Sequence, residues 1–198
     1  MKPAIVFDLG KVLVDFDYSI AARKVAAQST KQLDNLHHSL GSSEILARFE
    51  SGRLTRRQFF TEMSAFTGFT GTIEEFVSGF ADIFVPITPM IELHAKLRQH
   101  GCQTYIFSNT NDIAVEHIRR NFPFFANFNG YIYSYEVGAM KPHSKIYEAM
   151  EKLCGRNGKE IVYLDDRPEN IAAGMERGWN AILHESPAQT LATVEKLL

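Results

Sequence analysis

The sequence predicts an α/β fold: a doubly wound, mostly parallel sheet with a helical segment inserted after the first strand. Three observations predict it. Short runs rich in β-branched and aromatic residues recur at 4–7, 104–107, 131–133, 161–164 and 180–183, each too short for a helix. Beyond residue 100, helix-patterned stretches alternate with these runs at the spacing of βαβ units, whose right-handed crossovers make the strands parallel. Between the first run and the second, from 19 to about 84, apolar residues recur every three or four positions with no strand-like alternation.

The elements follow in order. Residues 4–7 form a buried strand that ends in Asp8, and Gly10 allows a tight turn beside it. The inserted segment breaks at Gly41, Ser51-Gly52, Gly68 to Gly71 and Pro86, which predicts four or five helices. Its many phenylalanines, among them Phe49, Phe59, Phe76 and Phe80, predict an apolar core of its own, the alternative being a wall that faces a ligand. Thr88-Pro89 reads as an N-cap and first helical position, and Gly101 ends that helix. The strand 104–107 runs into Ser108-Asn109-Thr110 and a helix over about 112–120. The segment from Glu136 to Pro142 reads as a loop, followed by a helix over 144–153. The strand 161–164 ends in Asp165-Asp166, Pro168 opens the next helix, and a last amphipathic helix starts near Pro187. The expected division is 1–15 with 87–198 as one unit and 16–86 as the other, joined by two chain crossings that let the insert move as a lid.

Composition narrows the function classes. The 198 residues are 45% hydrophobic and carry a formal net charge of -2, so no basic footprint for nucleic acid exists and an anionic ligand must be held by a local site. No stretch approaches the roughly 20 apolar residues of a membrane span, and the first residues lack the apolar core of a signal peptide, which makes a cytoplasmic protein the expectation. Cys102 and Cys154 stand far apart without the paired spacing of a zinc site. No GxxxxGK[ST] loop occurs.

In a parallel sheet the strand ends point one way, so Asp8, Ser108, Asn109, Asp165 and Asp166 converge, with Lys141 reaching them from its loop. Each has a structural reading as well: Ser108 or Asn109 capping the next helix, Lys141 solvated, Asp165 or Asp166 capping the helix at Pro168. Two adjacent carboxylates repel unless a cation offsets them, and this favours a site. Asp8 and one of the Asp165/Asp166 pair offer hard oxygen ligands suited to Mg²⁺. Lys141, Ser108 and backbone amides near Asn109 can hold phosphoryl oxygens, and a free oxygen of Asp8 can attack phosphorus. The ligand class is a small phosphorylated metabolite; neither nucleic acid nor membrane is expected, and the chain is expected as a monomer or homodimer.

Phe7-Asp8-Leu9-Gly10-Lys11-Val12, Ser108-Asn109, Lys141-Pro142 and Leu164-Asp165-Asp166-Arg167-Pro168-Glu169-Asn170 resemble the four motifs of the haloacid dehalogenase superfamily, in family order and with an insert where its type-1 helical cap belongs. The resemblance implies a Rossmann-like core and a Mg²⁺-dependent phosphatase. It implies Asp8 as nucleophile, Lys141 as the lysine that offsets its charge, and Asp8, the Gly10 carbonyl and Asp166 as metal ligands. One departure is Gly10, where phosphatases of the superfamily usually carry an acid that transfers protons; the form Asp-x-Gly resembles a branch of α-glucose-1-phosphatase type. Without that acid, leaving groups that are already acidic, such as the anomeric oxygen of a sugar 1-phosphate, are favoured. The rivals are a metal-free 2-haloacid dehalogenase and a catalytically weak binder of phosphorylated ligands. Asp15 or Asp17 is a substitute acid or a hinge residue; His37-His38 reads as solvated helix surface, His143 and His184 lie near strand-end loops within reach of a substrate, and Trp179 packs the last strand against the core rather than a ligand.

Overall fold

The structure is a computed structural model that describes residues 2–31 and 36–195, without the side chains of His38 and Ser39. Strand β1 (Ala4–Phe7) lies in the middle of a five-stranded sheet, with β4 (Gln103–Ser108) and β5 (Gly130–Tyr133) on one side and β6 (Ile161–Asp165) and β7 (Asn180–Leu183) on the other. Every pairing in this sheet is parallel. All four residues of β1 are buried, which is why its sequence reads as a continuous apolar run rather than an alternation.

Alternate residues of β1 enter opposite layers, as the period of a strand requires. Ile5 and Phe7 join Met90, Leu93 and Leu97 of α6 (Thr88–Gln99) and Val115 and Ile118 of α7 (Asp112–Asn121). Ala4 and Val6 join Ile146, Tyr147 and Met150 of α9 (Ser144–Cys154) and Ile171 of α10 (Pro168–Glu176). Trp179 packs on this second side against Phe107, Tyr147 and Tyr163. Helix α11 (Pro187–Glu195) adds Val194 to the first side.

The insert contains α1 (Tyr18–Ala26), α2 (Leu36–Ser42), α3 (Glu44–Glu50), α4 (Arg56–Thr67) and α5 (Ile73–Ala81) among the described residues. Thr55 and Thr72 open α4 and α5 with reciprocal capping boxes, and Gly68 closes α4 in the left-handed region. Its phenylalanines form a separate core in which Phe49 and Phe59 stack at 4.3 Å, and Ile113 of α7 joins that core from the sheet side.

Four local features differ from the sequence reading. Two three-residue strands, β2 (Val14–Phe16) and β3 (Phe84–Pro86), pair antiparallel where the chain enters and leaves the insert. Ile87, not Thr88, is the N-cap of α6, so Thr88 and Pro89 both lie inside the helix. A single-turn helix α8 (Ser134–Val137) begins directly after β5, in part of the segment read as a loop. Asn111, rather than Ser108 or Asn109, caps α7 by accepting from the Ala114 N–H.

Candidate active site

The register of the sheet sets the site. Phe7 pairs with Ile106 on one side and Leu164 on the other, so Asp8 lies level with Phe107 and Asp165, and its N–H donates to the Leu164 carbonyl at 2.8 Å. The chain then doubles back: the N–H groups of Leu13 and Val14 both donate to the Leu9 carbonyl, with Lys11 at a φ of 59°. This turn leaves Asp8 at the mouth of the crevice where the strand order reverses.

Lys141 comes from the loop after α8 and is fastened to the end of β4. Its N–H donates to Asn109 Oδ1 at 2.7 Å, and Asn109 Nδ2 donates to its carbonyl at 3.0 Å. The Lys141–Pro142 peptide is cis. From this anchor the buried ammonium donates to the Phe107 carbonyl at 2.8 Å and to Asp165 Oδ2 at 2.6 Å, and stands 3.0 Å from Asp8 Oδ1. Burial works against its charge, but the carboxylates of Asp8 and Asp165 outweigh burial and raise it above the ordinary lysine value.

The two members of the acidic pair do different things. Asp165 is fully buried and accepts from Lys141, the Tyr163 hydroxyl, the Arg167 N–H at 2.9 Å and Asn170 Nδ2 at 2.9 Å. Burial raises it, but Lys141 and these donors hold it below the usual carboxylate value. Asp166 is partly exposed and lines the cavity; burial and the charge of Asp165 push its carboxyl up. Burial also pushes Asp8 up, to about 7, with Asp165 adding to the shift and Lys141 opposing it. Asp8 Oδ1 accepts from the Leu9 N–H at 2.7 Å and faces Lys141, which leaves Oδ2 for the cavity that Asp8 lines.

Among the described residues, Asp8, Asp165 and Asp166 are the one group of three whose ligand atoms lie within 4.8 Å of one another. With every carboxyl ionised, three negative charges face the single ammonium of Lys141, a net −2 in a largely buried volume. A hard divalent cation fits that imbalance and that all-oxygen donor set.

A cavity of about 190 Å³ opens over these groups. Asp8, Gly10, Asn109, Lys141 and Asp166 form its floor, while Tyr18, Gly41, Leu46 and Glu50 of the insert close it from above. Ser108 is buried at the end of β4 and lines a smaller adjoining space of about 70 Å³, together with Gly10, Phe16 and Glu50. The other sequence candidates lie elsewhere. Asp15 pairs with Lys11, and Asp17 caps α1 by accepting from the Ser19 N–H at 2.7 Å. His143 caps α9, His184 faces Thr190 at 2.7 Å, and His37 is exposed on α2.

Sequence reasoning gave no role to Tyr163, Asn170, Phe16 or Glu50. The first two hold Asp165, and the last two wall the cavity. Glu50 carried one faint signal: it lies in Arg48-Phe49-Glu50-Ser51-Gly52-Arg53, a segment weakly similar to the same branch that the Asp-x-Gly form resembles.

The fold is that of an α/β enzyme, with a cluster of buried charge at the carboxyl ends of its central strands. The chain belongs to the haloacid dehalogenase-like hydrolase family, whose sequence pattern matches residues 2–176. It is similar to a D-ribitol-5-phosphate phosphatase of Bacteroides thetaiotaomicron, 26% identical over 195 residues that cover 93% of this chain and 92% of the relative. It is also similar to a sesquiterpene phosphatase of Aspergillus oryzae, 24% identical over 88% of this chain and 86% of that protein. Among solved structures, a HAD family enzyme from Bacteroides thetaiotaomicron in complex with magnesium and inorganic phosphate superposes with a TM-score of 0.81, at 24% identity, over 92% of this chain and 94% of the other. L-2-haloacid dehalogenase from Xanthobacter autotrophicus superposes less closely, with a TM-score of 0.66 and 16% identity over 98% of this chain and 83% of the other.

Proposed function

We propose that the protein is a magnesium-dependent phosphatase that acts on a small phosphorylated metabolite through a phosphoryl ester on Asp8. The observation that carries this reading is the buried Lys141 ammonium clamped between Asp8 and Asp165, with Asp166 open to the same cavity. Asp8, the Gly10 carbonyl and Asp166 would hold the metal, which when bound offsets negative charge and so lets an anionic nucleophile meet an anionic substrate.

Lys141 orients Asp8 through Oδ1 and opposes the upward push of burial on its carboxyl, and the ionised Oδ2 attacks phosphorus in line. The new O–P bond forms as the ester P–O bond breaks, and the leaving oxygen takes the electron pair. The Ser108 hydroxyl and the backbone N–H of Asn109 receive phosphoryl oxygens, while the Asn109 side chain keeps the lysine loop in place. Water then cleaves the acyl phosphate and returns Asp8. Asp165, with its acceptor sites filled, positions Lys141 and lies outside the metal's ligand set.

A cavity of about 190 Å³ suits a phosphoryl group on a small polar skeleton, in the class of sugar 1-phosphates and phosphorylated polyols. The similarity to the D-ribitol-5-phosphate phosphatase supports the polyol side of that class. The test is to quench the protein with Mg²⁺ and an aryl phosphate during turnover and map the adduct by mass spectrometry. A phosphoryl group on Asp8 that is lost in Asp8→Asn is the expected result. Phosphate release without an adduct would overturn the mechanism, and neither release nor adduct would leave a binding protein. Magnesium-free release of chloride from chloroacetate would favour the dehalogenase.

A further inference from the structure

We propose that Glu50 of the insert is the proton-transfer residue of this site, serving in place of the side chain that Gly10 lacks. The inference rests on the phosphatase reading above.

Position 10 is closed to an acid by its surroundings as well as by its identity. A Cβ on Gly10 would lie 2.9 Å from Cε1 of Phe16, so the ring occupies the direction in which a side chain would grow. That ring is held: the Lys11 ammonium sits 4.6 Å from its centroid, and Tyr18 meets it edge-on at 5.6 Å. Asp15 and Asp17, the nearest acids in sequence after Asp8 itself, point into an ion pair and a helix cap and do not line the cavity.

Glu50 does line it, with Asp8, Gly10, Lys141 and Asp166. It borders the adjoining space beside Gly10 and Ser108 as well. Three contacts set its place from the sheet side. Its carbonyl accepts from the Ser134 hydroxyl at 2.6 Å, and that buried hydroxyl in turn accepts from the Thr110 N–H at 2.9 Å. Its carboxyl hydrogen-bonds the side chain of Asn111, the cap of α7. Two residues on, Gly52 brings the backbone so close to Tyr135 that a Cβ would lie 2.2 Å from the Tyr135 carbonyl oxygen. These contacts hold the end of α3 at the cavity that Asp8 lines, and a carboxyl that shares a cavity with a nucleophile has the placement of an acid–base group.

Its electrostatics agree. Burial pushes the carboxyl up to about 7, while the Asn111 hydrogen bond and the more distant charge of Arg167 pull it down. Arg167 itself pairs with Glu169 at 2.5 Å, and Tyr18, whose hydroxyl burial keeps protonated, is the other titratable group that Glu50 acts on. Lys11, Lys141, Asp8 and Asp166 share the cavity. Near neutrality Glu50 can therefore both give and take a proton.

The steps balance. As the bond from Asp8 to phosphorus forms, the ester P–O electron pair goes to the leaving oxygen and the Glu50 proton joins it. When water attacks the acyl phosphate, its proton passes to the Glu50 carboxylate, the electrons of the broken bond return to Asp8, and both groups regain their starting states.

The experiment compares wild type, Glu50→Gln and Glu50→Asp on nitrophenyl phosphate, which needs no acid, and on a primary-alkyl polyol phosphate, which does. In Glu50→Gln, kcat/KM for the alkyl ester should fall by about 10²-fold or more, with phosphorylation of Asp8 by the aryl ester changed far less. The aryl-derived adduct on Asp8 should accumulate, because its hydrolysis has lost the base. The alkaline limb of the wild-type pH profile for the alkyl ester should disappear, and Glu50→Asp should restore part of the rate. Equal losses on both esters with no adduct accumulating would reduce Glu50 to a positioning residue, and unchanged alkyl turnover would place the proton source elsewhere. If Glu50→Gln does not fold, the alkyl-to-aryl ratio in Glu50→Asp decides: an unchanged ratio overturns the proposal. Wild type that turns over neither ester and forms no adduct would overturn the phosphatase reading itself, and this proposal with it.

Discussion

Asp165 and Asp166 are neighbours in the chain with different surroundings; their residue types alone leave them interchangeable, and only the family resemblance singles out Asp166. What separates them is the direction of the side chains at the end of β6: one turns into Lys141, Tyr163 and Asn170, the other into the cavity. The positions of Asp8 and Ser108 were legible because a short apolar run ending in a polar residue announces a strand end; Lys141 stands in a loop, and what singled it out was the resemblance of Lys141-Pro142 to a family motif. Glu50 was not legible, because its relation to Asp8 exists only once the insert docks. Gly10 is intermediate: the missing acid is plain in the sequence, but the ring that fills its place belongs to a residue read as the edge of the insert. Gly10→Asp should therefore not yield a faster enzyme. The displaced Phe16 ring should lower stability by about 1–3 kcal/mol in urea unfolding, with no gain on alkyl esters. Adding Phe16→Ala should recover part of that loss, and a single variant as stable as wild type would show that the ring moves aside freely.

At the scale of elements, helix α3 connects the insert to the strand ends. Glu50 reaches Ser134, Gly52 abuts Tyr135, and on the neighbouring helix Arg56 pairs with Asp112 at 3.0 Å and Glu116 at 2.6 Å on α7. The sequence pattern found these helices by their apolar spacing, but not the β2–β3 ribbon, since three residues carry too little alternation to register. Gly52→Ala is the variant that acts on this contact. The residue has a φ of +71° and its Cβ would meet backbone, whereas Gly101, at a φ of +76°, has nothing within 4 Å. Gly101→Ala should cost about 1–2 kcal/mol of backbone strain and leave kcat/KM unchanged. Gly52→Ala should cost more than that and also lower kcat/KM, because α3 shifts off the site. Equal behaviour of the two variants in thermal unfolding and in turnover would show that the close approach is not what positions the helix.

For the molecule as a whole, the unbalanced charge at the strand ends should make stability depend on the metal. At Mg²⁺ one hundred times its dissociation constant, a cation that binds only the folded chain adds about 2.7 kcal/mol, which appears as a rise in Tm at constant ionic strength. The rise should vanish in Asp166→Asn, and a wild-type Tm indifferent to Mg²⁺ would contradict a preformed cation site. Among the described residues no helix is long and apolar enough to cross a membrane. The ribbon has a further consequence. Val14 lies opposite Pro86 and Phe16 opposite Phe84, so from the standpoint of the sheet, everything between residues 17 and 83 is the loop of a β-hairpin. The entropy of closing such a loop grows only with the logarithm of its length. The segment could thus be lengthened, shortened or exchanged with little penalty to the strands that carry Asp8 and Asp165, and what covers those residues can change by altering what hangs from one short ribbon.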